Sequence, residues 1–361
     1  MARKNPYRYA VRRERHLFRR FTAAVLAVLV SAVLLITAVN YITAHSVTME
    51  TLRVTVAELP ADLENWSILH VSDLHGVDLG GRQANVARAL GSQNFSVCVM
   101  TGDMVGADRN PQPVLDLAAL LPSDLPVLYL PGDEDADYLD PTAHGSVSPY
   151  SDWAETLTRA GITFLDRPVL FTRGKKAQAR IWFIPESLYS LDLDAMERTW
   201  QAVLDALKTN ISLTADEAAR RRVAEYQLAR IGEIRASLKE ILDTDVQVTV
   251  THTPLAGEYA GTLVQWSSRN DVFSIRRSAL VLAGHYCAGQ WRLPGVGPVY
   301  VPDFGWFPGD EPVTGFHYTS GIPQYISPGL GASGIYPVWE SFRLFNSPAV
   351  TRIVLTSSIV Q

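Results

Sequence analysis

With 361 residues, a hydrophobic fraction of 47% and a charged fraction of 19%, the chain can form one large α/β domain or two small ones. The net charge of the chain is −5. Without the first 20 residues, which carry eight basic side chains and one acidic, the net charge becomes about −12. So negative a domain is excluded as a general binder of nucleic acid, because such binding depends on Lys and Arg. The two cysteines, Cys98 and Cys287, are too few for a disulfide-stabilised scaffold.

Residues 21–43 are predicted to form a transmembrane helix. No charged side chain occurs from Phe21 to Met49, and about 20 apolar residues are enough to cross a bilayer. The basic segment 1–20 is expected to stay in the cytoplasm and the rest of the chain outside, because positive flanks are retained inside. A cleaved signal peptide ending near Ala44 is the alternative, although the apolar stretch is longer than is usual for one. We therefore expect a single-pass protein of the cell membrane.

The remaining residues, 47–361, have the pattern of an α/β domain. Short apolar segments alternate with helical ones such as Ala84–Leu90, and polar residues or glycine follow within two positions of the end of each apolar segment. Continuous apolar segments of this length are typical of buried parallel strands. The carboxyl ends of such strands form the edge of an open sheet at which ligands usually bind. The five segments are Ile68–Val71, Val97–Met100, Val127–Leu130, Val246–Val250 and Leu280–Ala283.

A charged helical insert, residues 190–245, lies between the third and fourth of these segments. Thr214 and Glu217 have the spacing of a capping box, which starts a helix. An apolar stripe follows at Ile231, Ile234, Leu238 and Ile241. We predict two helices joined near Asn210, on which a protein partner can dock. The tail from Gly289 to Tyr336 is rich in Gly, Pro and aromatic residues, so we expect mostly loops there.

Metal-ligand residue types follow all five predicted strands. A lone Asp or His at a strand end is usually structural. Here, however, an acidic residue or a histidine follows each of five predicted strands. Carboxylates, imidazoles and a thiolate are ligands of divalent transition metals, and two such metals about 4 Å apart can clamp a phosphate. The candidate ligands are Asp73, His75, Asp103, Asp133, His252, His285 and Cys287.

The same residues lie in five motifs that occur in the order found in one enzyme family. The motifs are Ser72–His75, Gly102–Gly106, Gly132–Asp135, Thr251–Pro254 and Gly284–Gln290. They resemble those of the calcineurin-like metallophosphoesterases. The sequence looks most like the bacterial membrane-anchored branch, which includes UDP-2,3-diacylglucosamine hydrolase-like proteins. The likeness covers roughly residues 47 to 357 apart from the insert, and it extends to Arg292–Gly295, Gly329–Ser333 and Phe342–Asn346.

This resemblance implies a four-layer α/β/β/α sandwich with two divalent metals at its edge. By the family pattern, the first metal would be held by Asp73, His75, Asp103 and Cys287. The second would be held by Asp103, Asp133, His252 and His285. Asp103 would bridge the two ions, and a hydroxide between them would attack phosphorus.

Two motifs depart from the family pattern. Asp133 and Glu134 stand where the family has Asn and His, and Cys287 replaces a second histidine. Counting Asp73, Asp103, Asp133 and an ionised Cys287, the ligands carry four negative charges, which would cancel the charge of two divalent metals. A less positive site should bind an anionic phosphate less well. Among Zn, Fe and Mn, the thiolate favours Zn or Fe.

Glu134 also bears on catalysis, because the family histidine at its position protonates the leaving group. Glutamate side chains are ordinarily ionised at neutral pH and donate a proton only in special surroundings. His144, in a nearby loop, is a candidate substitute. We therefore assign Glu134 and Asp103 as the candidate catalytic residues and leave the strength of catalysis open.

The sequence is compatible with two functions. The first is a hydrolase that cleaves a phosphomonoester or phosphodiester, which can be lipid-linked, at the outer face of the cytoplasmic membrane. Three aromatic residues of the tail, Trp291, Trp306 and Phe307, would either hold such a substrate or pack as ordinary loop residues. The second is a catalytically silent metal-binding protein whose insert docks a partner.

Overall fold

The fold is described from a computed structural model for residues 6–106, 108–140, 148–175, 178–208, 212–267, 271–337 and 341–357, with side chains from residue 18 onward. Within these ranges the chain has a mixed α/β fold with one long N-terminal helix. The helices, in chain order, are α1 (Pro6–His45), α2 (Ala84–Leu90), α3 (Gln112–Ala118), α4 (Asp152–Arg159), α5 (Leu193–Lys208), α6 (Ala215–Glu240) and α7 (Gly257–Trp266). The Phe18–His45 part of α1 is long and apolar enough to cross a membrane, which confirms the predicted apolar helix.

The strands are short, and many carry the β-branched and aromatic residues that suit a pleated sheet. In chain order they are β1 (Thr48–Thr55), β2 (Ser67–Val71), β3 (Val97–Thr101), β4 (Val127–Leu130), β5 (Ile162–Phe164), β6 (Val169–Arg173), β7 (Ala179–Pro185), β8 (Val246–Val250), β9 (Ser278–Ala283), β10 (Trp291–Leu293), β11 (Gly297–Val301), β12 (Gly305–Trp306), β13 (Gly315–Thr319), β14 (Ile322–Ile326) and β15 (Ala349–Thr356). Every residue of β2, β3 and β8 is buried, as the continuous apolar segments predicted.

Two six-stranded sheets dominate the described part of the chain. The first has the strand order β1-β15-β2-β3-β4-β5, in which β2 to β5 are parallel and β15 is antiparallel to β2. The second has the order β13-β14-β9-β8-β7-β6, with a parallel centre and antiparallel strands at both edges. A small antiparallel sheet, β10-β11-β12, follows β9.

The two large sheets share one hydrophobic cluster. Ile68 and Val99 of the first sheet belong to it together with Phe183, Val248 and Leu282 of the second. Burying one such side chain fully stabilises the fold by about 1.5–3 kcal/mol relative to leaving it exposed. Helices α2, α3 and α4 pack on the other face of the first sheet, and α6 and α7 pack on the other face of the second. The core therefore fixes the relative position of the two sheets' edges.

The C-terminal ends of β2, β3, β4, β8 and β9 meet at one edge of the molecule, called the metal edge below. Strand β1 begins at this same edge. It is parallel to β15, with Thr48 opposite Ala349, while β15 is antiparallel to β2, with Thr351 opposite His70. Ala349 therefore lies beyond the C-terminal end of β2, and α1 joins the domain at the metal edge.

The insert contains two helices, α5 and α6, and the residues around the predicted joint at Asn210 lie outside the described ranges. The capping box is confirmed, since Glu217 N–H donates to the Thr214 hydroxyl and Thr214 N–H donates to the Glu217 carboxylate. Ile231 and Ile234 of the predicted stripe are buried, and Ile241 caps the helix.

The tail is more ordered than its composition indicated. It holds five short strands, β10 to β14, and β14 pairs in parallel with β9 inside the second large sheet. Loops still make up the larger part of the tail, as expected, but the five strands were not predicted. Glycine and proline between them mark the turns, not an absence of strands.

Candidate metal centre

All seven predicted ligands lie at the metal edge, on loops that follow five strands. They form groups in which one donor atom from each residue lies within 4.8 Å of the others. The first group is Asp103, Asp133, His252 and His285, the second is Asp73, His75 and Cys287, and the third is His75, Asp103 and Glu134. Asp103 and His75 each belong to two groups, so they link the others.

The first group is held by close contacts between imidazoles and carboxylates. His252 Nε2 lies 2.8 Å from Asp133 Oδ1 and 3.1 Å from Asp103 Oδ2. His285 Nδ1 lies 3.2 Å from the same Asp133 oxygen and 3.1 Å from His252 Nε2. These donor atoms therefore point at a common space.

The orientation of His252 is fixed from behind the site. Its Nδ1 lies 2.7 Å from the Thr101 carbonyl oxygen, which can only accept a hydrogen bond. Nδ1 therefore carries the hydrogen, and Nε2 is the nitrogen directed at the carboxylates. Metal-binding imidazoles are commonly oriented in this way by a carbonyl on their other nitrogen.

The second and third groups meet at His75. Cys287 Sγ lies 3.9 Å from His75 Nε2, and Glu134 Oε2 lies 3.3 Å from His75 Nδ1. Nδ1 is buried and has no hydrogen-bond partner of good geometry among the described residues. Asp73 accepts hydrogen bonds from the His285 N–H at 2.9 and 3.1 Å, which ties the first strand end to the last.

The loops that carry the ligands have strained backbones. Asp73, His75, Asp103, His285 and Cys287 all have positive φ, between 47° and 77°. Non-glycine residues rarely adopt this left-handed conformation, and clusters of such residues are typical of functional sites.

Close approach between loops also requires glycine at three motif positions, Gly102, Gly132 and Gly284. A Cβ on Gly284 would lie 1.8 Å from the Ser72 hydroxyl oxygen, and a Cβ on Gly102 would lie 2.3 Å from His252 Nδ1. Asp135 adds a further connection, because its carboxylate accepts from the N–H groups of Val105 and Gly132. The second and third motifs are therefore held together by Asp135.

The electrostatics match a site that binds cations. Contacts with His252 and His285 hold the pKa of Asp133 well below its usual range. Burial lowers the pKa of His285, but Asp133 and Asp303 outweigh burial and raise that pKa to about 9. Burial also lowers the pKa of His252. Its contacts with Asp103 and Asp133 outweigh burial and raise that pKa well above its ordinary value. Without metal, protonated imidazoles therefore balance the carboxylates.

Burial, followed by the negative charge of Asp73, raises the pKa of the Cys287 thiol, whereas His75 and Arg343 act in the opposite direction. The Arg343 guanidinium is buried and donates to the backbone carbonyls of Pro328 and Gly331. Asn346 donates to the carbonyl of Cys287 at 2.8 Å. This C-terminal segment therefore holds the Cys287 loop in place and puts a positive charge near the sulfur.

The donor set fits divalent transition metals. It combines carboxylate oxygens, imidazole nitrogens and a sulfur that converge from separate loops, and it leaves a buried nitrogen of His75 without a hydrogen bond. Cys98 and Cys287 are both free thiols, so the sulfur of Cys287 is available to an ion.

Sequence reasoning missed one contributor. Asp303 lies 3.1 Å from His285 Nε2, although no strand or motif in the sequence marks it. Glu134, assigned from the sequence as a candidate catalytic residue, is also placed as a candidate ligand beside His75. Its adjacency to Asp133 is the signal that could have shown this. His144, the other candidate acid, lies outside the described residues.

A cleft of about 580 Å³ leads away from the first group. Its lining includes Asp133, His252, Glu186, Tyr259 and Arg230 of α6. Arg230 donates through Nε to the Asp166 carbonyl at 2.7 Å. The insert therefore contributes a cationic side chain to a cleft that reaches the candidate metal ligands.

Comparisons with known proteins show no family for this chain. No family model matches the sequence, and no curated protein matches it. Among solved structures, the crystal structure of phosphopantetheinyl hydrolase (PptH) from Mycobacterium tuberculosis is similar at 15% identity and a TM-score of 0.34. The match covers 75% of this chain and 92% of that chain. The fold and site define a mixed α/β protein with side-chain groups that could bind metal ions.

Proposed function

We propose that the protein is a membrane-anchored metallophosphoesterase that hydrolyses a phosphate ester at the outer face of the cytoplasmic membrane. The observation that carries this proposal is the convergence of seven candidate ligands from five strand ends, with Asp103 and His75 shared between groups. The five ordered motifs and the shared core of the two sheets support a calcineurin-like sandwich of four layers. The likeness to the diacylglucosamine hydrolase-like branch is part of the same proposal.

The proposed ligands divide between two divalent ions, with zinc or iron favoured over manganese by the Cys287 sulfur. Asp73, His75 and Cys287 would hold one ion, and Asp133, His252 and His285 the other, with Asp103 bridging. When bound, two such ions supply charge stabilisation for the phosphate and a nucleophilic hydroxide.

The chain's own residues set the geometry for this chemistry. Asp103 Oδ1 accepts from the Glu134 N–H at 2.9 Å, which leaves Oδ2 facing His252. Glu134 itself faces His75, which places its carboxylate beside the candidate ligands. Arg230 offers a positive charge to an anionic group of a substrate lying in the cleft.

Metal analysis of the full chain purified in detergent, combined with aryl phosphate monoesters and diesters, tests the proposal. We expect bound zinc or iron, and hydrolysis that is lost with a chelator and in His252→Ala. The matched control is His317→Ala, which removes a histidine outside the candidate ligand set. A chain that binds no metal and turns over none of the esters would sink the proposal.

A catalytically silent, partner-binding protein is the second candidate. Helix α5 favours it, since none of its side chains is buried, although it carries several apolar residues. In that case the chain would bind metal without hydrolysing any ester, and restoring the family residues at Asp133 and Glu134 would not create turnover.

A further inference from the structure

The membrane helix and the metal edge lie on the same side of the domain. Only Ser46 and Val47 separate the end of α1 at His45 from the start of β1 at Thr48. As the strand registers show, β1 begins at the edge where the candidate ligands lie. A bilayer crossed by α1 therefore lies next to the metal edge and not next to the opposite edge.

Two hydrogen bonds fix the end of α1 against the domain. Asn40 Oδ1 accepts from the Phe345 N–H at 2.8 Å, and the His45 carbonyl accepts from Asn85 Nδ2 at 2.9 Å. Asn40 lies five residues before the end of the helix, roughly 7 Å along its axis at 1.5 Å per residue. Phe345 therefore sits at the depth of the last turns of α1, close to the membrane surface.

An exposed apolar surface adjoins this point, called the aromatic surface below. It consists of Leu293, Val296, Trp306, Phe307 and Phe342. Trp306 and Phe307 are 54% and 73% exposed, which is unusual for such large apolar side chains.

The aromatic surface is joined to both the membrane helix and the candidate metal centre. Trp291 packs between Phe342 and Trp306, with ring centroids 5.3 and 5.4 Å away. Backbone pairing between Trp291 and Leu344 attaches β10 to the segment that contacts α1. On its other side, Trp291 is four residues beyond Cys287.

We propose that the aromatic surface docks on the outer leaflet of the membrane that α1 crosses. This rests on the membrane anchoring in the proposed function. Tryptophan and phenylalanine favour the interfacial layer of a bilayer, and exposed apolar patches commonly mark interaction sites. The position of α1 favours a lipid surface as the occupant, because the bilayer lies beside this patch. The substrate class is then an amphiphilic ester whose phosphate lies in the headgroup layer.

Tryptophan quenching in vesicles of phosphatidylcholine with brominated acyl chains tests the docking. The emission of Trp306 is obtained as the difference between the native chain and Trp306→Phe. We expect this emission to be lost in brominated vesicles and retained in unbrominated ones. Trp266, which is 68% exposed, is the control. Its emission, obtained as the difference between the native chain and Trp266→Phe, should be retained in brominated vesicles. Because α7 connects the parallel strands β8 and β9, its C-terminal end at Trp266 lies at the edge opposite the membrane.

The outcomes separate the inference from the proposed function, because quenching needs no turnover. Co-flotation of the chain with vesicles, combined with unquenched Trp306 emission, would overturn the docking and leave the anchoring intact. If Trp306 emission is unquenched but its wavelength shifts with protein concentration, a second copy of the chain covers the aromatic surface. That outcome would also overturn the docking on the membrane. A chain that does not float with vesicles contradicts both the anchoring and the docking.

Discussion

Glu134 Oε2 lies 3.3 Å from Nδ1 of His75, and both side chains are almost fully shielded from solvent. The carboxylate of Glu134 therefore faces the candidate metal ligands. This contact adds a carboxylate to a set already rich in negative charge.

The double change Asp133→Asn and Glu134→His should raise hydrolysis of an aryl phosphate diester at least about tenfold, since one placed acid typically contributes ~10²–10⁴-fold. The change removes negative charge and supplies an imidazole that can donate a proton at neutral pH. The measurement is the initial rate at fixed, verified metal content.

Glu155→Gln, on the surface helix α4, is the control and should leave the rate unchanged. A double variant that retains its metals but is slower than the parent would show that Glu134 belongs to a working site for a different substrate.

Asp103→Asn should remove metal from both positions, whereas His252→Ala should remove mainly one. Asp103 belongs to two of the three donor groups, while His252 belongs to one. Metal content per chain, measured by mass spectrometry after desalting, checks this. Asp124→Asn, on an exposed loop, should change nothing. Full metal content in the Asp103 variant would rule out the bridged pair.

Metal affinity should rise steeply with pH. The raised pKa of His285, about 9, means that a proton must leave the imidazole before the nitrogen can bind an ion. Zinc affinity should therefore increase from pH 6.5 to about 9, with proton release on binding. Competition titrations with a zinc indicator at several pH values measure it. Asp303→Asn removes one cause of the raised His285 pKa and should move the increase in zinc affinity to lower pH. An unchanged pH profile in that variant would argue against His285 as a zinc ligand.

The same pKa shift affects the metal-free fold with a defined sign. A pKa raised above the ordinary value of 6.5 contributes stability that is fully present below that value and is lost as pH rises through about 9. The melting temperature of the chelated protein should therefore fall between pH 6.5 and 9. Zinc at saturation should reduce or reverse this fall, and an unaffected melting temperature would contradict it.

The orientation of the chain gives a further prediction. The basic flank before Phe21 and the uncharged stretch after it imply that the C-terminus is outside. Alkaline phosphatase fused after Gln361 should be active, because it folds only outside the cytoplasm, and a cytoplasmic reporter at the same position should be inactive. The reverse pattern would place the metal edge in the cytoplasm.

The candidate site was largely predictable from sequence because its strands are buried on both faces. Such strands appear as continuous apolar segments, and the residue after each one marks a sheet edge, as with Asp73 and Asp103. Asp303 was not predictable, since it reaches His285 only through the packing of a Gly- and Pro-rich loop. The pairing of β14 with β9 was hidden for a similar reason: it depends on where a short hairpin docks in three dimensions.

The two-residue connection between α1 and β1 has a kinetic consequence. Two extended residues span at most roughly 7 Å, so a domain anchored in a bilayer by α1 could not rise far above the lipid. If it is the enzyme proposed above, it would meet an amphiphilic substrate by lateral diffusion, in two dimensions. Its turnover would follow the mole fraction of substrate in the bilayer, and adding inert phospholipid would slow it even at constant total substrate.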